Sequence, residues 1–214
     1  MIVTNALDID SFLAQTGTTI FIYSIEGKPL DPKQLISISD SQIENRINKI
    51  FLFGKRIIFE RCENRAFENS LILIDTLLPQ ILSEIVLSFY SSELVTLRDF
   101  VGELSKNNPI GYNQDNDHPY YEYKIKRFLT DIALAMMPSK VCSGKLDANG
   151  DYLIEKEDGD VLCYHIYNRN DFEDYLLSNT KLETASSSRH DFGKVYTENG
   201  KQLINLNLQI RFKK

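Results

Sequence analysis

The spacing of hydrophobic positions in the first sixty residues predicts two short strands with a helix between them. Residues 18–24 are mostly β-branched and aromatic, and a Gly-Lys-Pro turn sequence follows them at 27–29. Residues 55–62, with Ile57, Ile58 and Phe59 at their centre, are interpreted as a second strand. Between them, Ile43, Ile47 and Ile50 recur at helical spacing after a Ser-Asp pair, and Gly54 follows. The pattern therefore predicts a strand, a capped amphipathic helix and a second strand.

Helical spacing continues over residues 67–106. Apolar residues from Leu71 to Phe89 recur three and four positions apart, which predicts a helix over 67–91. Pro79 should bend or divide it, because proline lacks the backbone donor that a helix interior needs. A further helix is predicted over 93–106. A polar stretch at 107–119 then marks one candidate domain boundary. It separates a helix-rich portion with an N-terminal strand, 1–108, from a β-rich portion, 109–214; one compact domain is the alternative.

The portion after this stretch begins with one more helix and then changes to strand signals. Residues 120–137 have helical periodicity up to Pro138. Segments 152–156 and 161–167 flank Glu-Asp-Gly-Asp, and segments 194–197 and 203–212 flank Glu-Asn-Gly-Lys, which predicts two hairpins. Asn170 and Glu173 are spaced as a capping box for a helix over 171–178. The predicted fold class is mixed α/β of the α+β type, with a helix-rich N-terminal half and an antiparallel-sheet-rich C-terminal half.

Composition and charge narrow the classes of protein to consider. The chain is 43% hydrophobic and 25% charged, as in ordinary globular domains. It has neither a run of eighteen apolar residues nor a basic leader, so we expect no membrane partner and a cytoplasmic location. Three distant cysteines without zinc-ligand spacing fit reduced thiols. The net charge of −6 argues against nonspecific nucleic-acid binding by the whole surface. Residues 189–214, however, have a local balance of +4.

Polar and apolar residues alternate along the last predicted strand. Its apolar side is formed by Ile, Leu and Phe, and its other side by Asn205, Asn207, Gln209 and Arg211. Asn, Gln and Arg are the side chains that form paired hydrogen bonds with the edges of adenine and guanine. This side of the strand is therefore a candidate DNA contact, and a solvent-facing strand that is merely polar is the alternative.

Further arginines are set among small polar residues. Arg189 and His190 follow a Ser-rich stretch, and Arg169 lies between two asparagines. This composition suits contacts with phosphates and base edges. Surface arginines and a structural histidine would explain it almost as well.

Metal-dependent DNA cleavage needs two or three carboxylates for Mg²⁺ and a lysine beside the attacked phosphate. Three places carry acidic and lysine residues at short spacing: Glu122 with Lys124, Glu26 with Lys28, and Asp151 with Glu155 and Lys156. The first opens a predicted helix, the second lies in a turn, and in the third the two last charges point to opposite faces of a strand. No catalytic residue and no metal ligand is assigned.

The last third of the chain has an uncommon order of polar and aromatic residues, most of all at 163–180 and in the closing Leu-Asn-Leu-Gln-Ile-Arg-Phe of 206–212. This order resembles the C-terminal end of the HpaII family of type II restriction endonucleases. The likeness extends upstream to about residue 12, through blocks at 67–75, 121–126, 133–138 and 147–154.

The resemblance implies a cytoplasmic bacterial endonuclease that cuts a short palindromic site, related to CCGG, in double-stranded DNA with Mg²⁺. It implies that 109–214 is the DNA-recognition portion. The candidate DNA-binding residues are Arg169, Arg189, His190, Asn205, Asn207, Gln209 and Arg211.

The chain departs from the family pattern at its start. A Ser-Ile-Lys-Ser-like strand is expected there, and residues 1–11 contain no lysine. We therefore expect a truncated or partial restriction endonuclease of HpaII type that supplies DNA recognition, with a homodimer or a separate N-terminal fragment as partner. The alternatives are a noncatalytic DNA-binding or assembly subunit and a protein-interaction domain.

Overall fold

The computed structural model describes residues 17–39, 42–134, 136, 138, 140–142, 144, 169–184 and 192–213, and the backbone of 151–155 and 161–165. Helices dominate the first two thirds of this part and strands the last third. The elements are β1 (Ile20–Glu26), α1 (Pro32–Ser39), α2 (Ile43–Leu52), β2 (Arg56–Cys62), α3 (Arg65–Ile74), α4 (Leu78–Phe89), α5 (Leu97–Asn107), α6 (Tyr120–Ala133), β3 (Asp151–Glu155), β4 (Val161–His165), α7 (Arg169–Asn179), β5 (Thr180–Leu182), β6 (Val195–Glu198), β7 (Lys201–Asn207) and β8 (Ile210–Phe212). The predicted mixed fold class is confirmed.

A four-stranded antiparallel sheet joins the two ends of the described chain. Its order is β2-β1-β7-β6, so the first strand pairs with the second and with the C-terminal hairpin. The register of β1 and β7 runs from Ile20 opposite Asn207 to Ser24 opposite Leu203. Both the sheet and the hydrophobic core draw residues from either side of position 108. The proposed division at 108/109 stays a prediction about the sequence.

Helices α3 and α5 begin where a side chain accepts the first backbone donors. The Asn64 carboxamide oxygen accepts from the N–H groups of Ala66 and Phe67 at 2.9 and 3.2 Å and so caps α3. The predicted 67–91 helix is divided, as expected, into α3 and α4, which meet at 113°. Pro79 lies in the first turn of α4, where its missing N–H costs no intrahelical hydrogen bond. Within the described residues no single helix could span a membrane; only α3 and α4 together have the length and composition for it, and both pack into the core.

Several predicted boundaries are wrong. Residues 203–212 do not form one strand: β7 ends at Asn207, Leu208 and Gln209 carry the chain across, and β8 pairs with β5 in a second sheet. The helix predicted over 120–137 ends at Ala133. Helix α7 begins at Arg169, so Asn170 lies in its first turn and does not cap it. Helix α1 and strand β5 were not predicted.

The crossing between the two sheets is held by a buried group of hydrogen bonds around Thr19. The Thr19 hydroxyl donates to the Leu208 carbonyl at 2.7 Å, and the Leu208 N–H donates to the Thr19 carbonyl at 2.9 Å. The Asn207 amide donates to the Thr19 hydroxyl at 3.1 Å, and the Tyr90 hydroxyl donates to the Asn207 carbonyl at 3.2 Å. Thr19 and Asn207 are fully buried. The chain can therefore leave the sheet at this point without leaving its backbone groups unsatisfied.

Replacement of Thr19 by valine tests this junction. The change keeps the shape of the side chain and removes the hydroxyl that bonds both Leu208 and Asn207, so we expect the free energy of unfolding to fall by about 2–3 kcal/mol. Urea denaturation should show a lower midpoint with an unchanged slope. Thr197→Val, at an exposed position of β6, is the matched control and should change stability by less than about 0.5 kcal/mol. Equal effects of the two changes would contradict the role given to Thr19.

Alanine substitutions at two glycines with the same backbone conformation would distinguish the cost of backbone strain from the cost of a steric conflict. Gly193 and Gly200 both have positive φ, 75° and 79°. A Cβ on Gly193 would lie 2.6 Å from Cγ1 of Ile43, whereas a Cβ on Gly200 would meet nothing within 4 Å. Gly200→Ala should cost about 1 kcal/mol from backbone strain alone. Gly193→Ala should cost about 1–3 kcal/mol more, because Ile43 must move. Thermal unfolding of the two variants measures the difference, and similar melting temperatures would rule out the conflict with Ile43.

Candidate nucleic-acid interface

The small sheet formed by β5 and β8 has one buried and one open side. Its register pairs Thr180 with Phe212, Lys181 with Arg211 and Leu182 with Ile210. The outer two pairs are buried in the core. Because strand side chains alternate sides, Lys181 and Arg211 lie together on the opposite side, and both are partly exposed.

Two further basic side chains reach the same region through Ser178 at the end of α7. The Lys213 N–H donates to the Asn179 carbonyl at 2.7 Å, and its Nζ donates to the Ser178 carbonyl at 2.6 Å. On α5, Arg98 Nη2 donates to the Ser178 hydroxyl at 2.5 Å. Lys213 and Arg98 are exposed. We call this group, Arg98, Lys181, Arg211 and Lys213, the basic face.

One carboxylate and one amide lie directly beside Arg211. Glu183 Oε2 is 2.5 Å from Arg211 Nε, and these side chains are 42% and 34% exposed. With its carboxamide oxygen facing the guanidinium, Gln209 accepts from Nε and Nη2 at 2.9 and 2.8 Å. The Glu183 N–H donates to the Gln209 carbonyl at 3.0 Å, which fixes the spacing of the two partners. A basic face with a single well-held arginine is suited to anionic ligands and to planar hydrogen-bonding groups.

Of the predicted site residues, Gln209 and Arg211 are brought together here, and Asn205 and Asn207 are not. Both asparagines lie on β7 within the four-stranded sheet. Asn205 is opposite Ile22 of β1 and is partly buried, and its carbonyl accepts from the Gly193 N–H at 2.7 Å. Asn207 is fully buried beside Thr19. The four residues therefore do not share one exposed face, because the chain changes sheets between Asn207 and Gln209.

Arg169 is at the opposite end of α7 from the basic face. Nine residues of helix, at about 1.5 Å each, place it roughly 14 Å from Ser178. Its Nε lies 2.6 Å from Glu173 Oε1. Burial raises the pKa of the nearby Asp131 carboxyl, and the charges of Arg127 and Arg169 offset part of this increase. Arg169 thus belongs to a charged cluster between α6 and α7. Arg189 and His190 lie outside the described residues.

Glu122, Lys124 and Glu26, from two of the three acid–lysine groups considered for metal binding, take part in other contacts. The side chains of the third group, Asp151, Glu155 and Lys156, lie outside the described residues. Lys124 forms an ion pair with Asp75, and Glu122 forms one with Lys126. Residues two apart on a helix point about 200° away from each other, which explains why Glu122 and Lys124 have separate partners. Glu26 is paired with an arginine of β2 at 2.9 Å. Within the described side chains, no group of three or more His, Cys, Asp or Glu could hold a metal ion. The part of the chain that is described therefore does not fit a Mg²⁺ site.

A shallow pocket of about 340 Å³ lies at one end of the four-stranded sheet, lined among others by Ser24, Glu60 and Lys201. Its charged groups bind each other, with Lys201 Nζ 2.9 Å from Glu60 Oε1. Hydrogen bonds from Lys201 and Ser24 lower the pKa of the Glu60 carboxyl. The lining is as polar as it is apolar, so the pocket lacks the predominantly apolar lining of a typical small-molecule site.

Arg98 and Lys181 were not predicted as site residues. Arg98 is on α5, eighty residues before the serine that it contacts, and nothing in its neighbourhood in the sequence marks it. Lys181 lies on a three-residue strand, which is too short to show alternation. Lys213 belongs to the basic C-terminal stretch 189–214, and in the sequence only its charge marks it as a candidate for DNA binding.

Comparison with known proteins gives the family. The model of the HpaII restriction endonuclease family matches residues 8–212. The chain is 48% identical over 197 residues to the type II restriction enzyme HpaII of Haemophilus parainfluenzae, an alignment that covers 92% of this chain and 54% of that relative. The chain thus spans about half the length of the relative it matches. No solved structure matches the chain. The match over nearly the whole chain shows that it belongs to the HpaII restriction endonuclease family.

Proposed function

We propose that this chain supplies DNA recognition for site-specific cleavage of double-stranded DNA, as in a type II restriction endonuclease of HpaII type. The observation that carries the proposal is the 48% identity to a protein named as such an enzyme. The basic face supports it, because four cationic side chains converge there in a chain whose net charge is −6. Such local concentration of Lys and Arg is what attraction to the phosphate backbone requires.

The proposal gives different tasks to the candidate residues. Lys181, Lys213 and Arg98 are expected to contact phosphates, which position a protein on the duplex without reading sequence. Arg211 is expected to reach a base edge, with Gln209 behind it. Asn205 and Asn207 are expected to act through the position of β7 and β8, since Asn207 is buried. Arg169 remains a proposed DNA contact outside the basic face, and Arg189 and His190, which lie outside the described residues, remain proposed DNA contacts as well.

The sequence that is read is proposed to be a short palindrome related to CCGG. A palindrome has twofold symmetry, so two copies of the recognition surface would read its two halves. Type II restriction endonucleases generally use a divalent metal ion. The described side chains do not fit such a site, so none of them is proposed to act in the cleavage step.

Removal of one phosphate contact should weaken binding to every duplex alike. We expect Lys213→Ala and Lys181→Ala each to lower affinity for CCGG and scrambled duplexes by similar factors and to reduce the slope of log K against log salt by about 1. Fluorescence anisotropy at several salt concentrations measures both. Lys33→Ala, at an exposed position of α1 away from the basic face, is the charge-matched control. Salt-independent binding, or an equal loss with Lys33→Ala, would rule out the basic face as the DNA surface.

The purified 214-residue chain should bind DNA and leave it uncut when Mg²⁺ is added. The reason is that Glu122 and Asp75, the described carboxylates nearest to Lys124 in sequence or space, each pair with a lysine. Digestion of a plasmid with several CCGG sites is the measurement. Discrete fragments would contradict this expectation, and Lys124→Ala and Lys28→Ala would then show which acid–lysine pair takes part.

A further inference from the structure

We infer that Arg211 reads a guanine with its terminal Nη1–Nη2 edge, and that Glu183 and Gln209 are positioning residues that fix the direction of this edge. The inference rests on the proposed function and deepens it. It selects one base-reading side chain from the basic face and names the two residues that make it specific.

The contacts of Arg211 with the described residues Glu183 and Gln209 engage one side of its guanidinium group. Glu183 Oε2 lies 2.5 Å from Nε. With the Gln209 amide turned so that its oxygen faces the guanidinium, the orientation that satisfies both groups, this oxygen accepts from Nε at 2.9 Å and from Nη2 at 2.8 Å. Because the guanidinium is planar and rigid, partners on the Nε–Nη2 side determine where the Nη1–Nη2 edge points. That edge carries two parallel N–H donors, which match the O6 and N7 acceptors of guanine.

The two partners are themselves held in place. Gln209 is only 4% exposed, so its amide cannot turn freely toward solvent. Glu183 follows β5, and its N–H donates to the Gln209 carbonyl at 3.0 Å. On the other strand, Lys181 stands opposite Arg211 in the β5–β8 register. An arginine supported in this way loses less conformational freedom on binding than one on a free surface.

The charge of Glu183 favours a base over a phosphate as the partner of Arg211. A phosphate that approached the guanidinium would also approach the carboxylate, and like charges repel at this distance. A guanine edge is neutral, so it meets the same guanidinium without that repulsion. The side chains of Lys213 and Arg98 donate to uncharged oxygens of Ser178, so these two are better suited to phosphates.

The test replaces guanine by 7-deazaguanine, which lacks the N7 acceptor. The full 214-residue chain is titrated by anisotropy, without Mg²⁺, into a CCGG duplex and into the same duplex with 7-deazaguanine at each guanine in turn. The parent chain should bind one substituted duplex more weakly by a factor on the order of ten. Arg211→Met, whose side chain has no hydrogen-bond donor, should bind both duplexes equally.

Glu183→Gln separates positioning from a merely structural role. The variant keeps the size of the side chain and removes the charge, so overall affinity should rise while the penalty for 7-deazaguanine falls below about threefold. A structural role would change both duplexes by the same factor and lower the melting temperature. Gln209→Leu, which removes the second acceptor, should also reduce the penalty. Glu198→Gln, the same charge change in a residue paired with Arg61 at 3.0 Å, should leave the penalty at its parental value.

The outcomes distinguish the inference from the proposed function. If the chain shows no salt-dependent binding to any duplex, the proposed function fails, and the inference fails with it. If it binds CCGG but 7-deazaguanine costs nothing, or if Glu183→Gln keeps the full penalty, the proposed function stands and the inference is overturned.

Discussion

The buried hydrogen bonds between Thr19 and the 207–208 peptide unit are the constraint on which the rest of the arrangement depends. They tie the residue before β1 to the point where the chain leaves β7. The large sheet thereby closes with its first strand between β2 and β7, and β8 is directed onto β5. A shift of one residue at this crossing would exchange the two sides of β8, because strand side chains alternate with a period of two. Arg211 would then point into the core and Ile210 outward. The position of the basic face is therefore set by a contact between residues almost 190 positions apart.

The sequence was sufficient for the elements that local chemistry determines. The hairpin of β6 and β7 follows from Asn199-Gly200, whose φ values of 49° and 79° are both positive, as a tight primed turn requires. The division before Pro79 follows from the missing proline donor, because proline is tolerated in the first turn of a helix but not in its interior. The break after Asn207 could not be predicted, because Leu208, Gln209 and Ile210 continue the alternation of a strand without interruption. Its cause is the partner Thr19, which is distant in sequence. Strand β5 was missed for the related reason that three residues carry no periodic signal and depend on β8 for their hydrogen bonds.

The same limit applies to the candidate site. The alternation of polar and apolar residues predicted that Gln209 and Arg211 lie on the same side of the strand. They are neighbours in the structure because they are only two residues apart and both follow the change of sheet. Extending that face to Asn205 and Asn207 assumed a continuous strand, and the change of sheet separates the two pairs. Arg98 and Ser178 meet through the packing of α5 against α7, and Glu183 meets Arg211 through the register of the small sheet. These contacts depend on tertiary structure, and single-sequence patterns contain no information on them.

An acidic chain can bind a polyanion only if its basic groups are concentrated and its carboxylates are engaged elsewhere. Many of the described acidic side chains meet this condition: Glu60, Glu198 and Glu26 are paired with basic residues on the sheet, and Glu122 and Asp174 share Lys126. Glu183 is the exception on the basic face. A carboxylate there lowers the nonspecific attraction to phosphate that the other charges create. Its presence there fits a role in discrimination, since specificity is a difference between affinities and a repulsive element raises specificity by weakening the wrong complex. The geometry around Arg211 fits this view, because Glu183 weakens the attraction to phosphate and at the same time orients the guanidinium group.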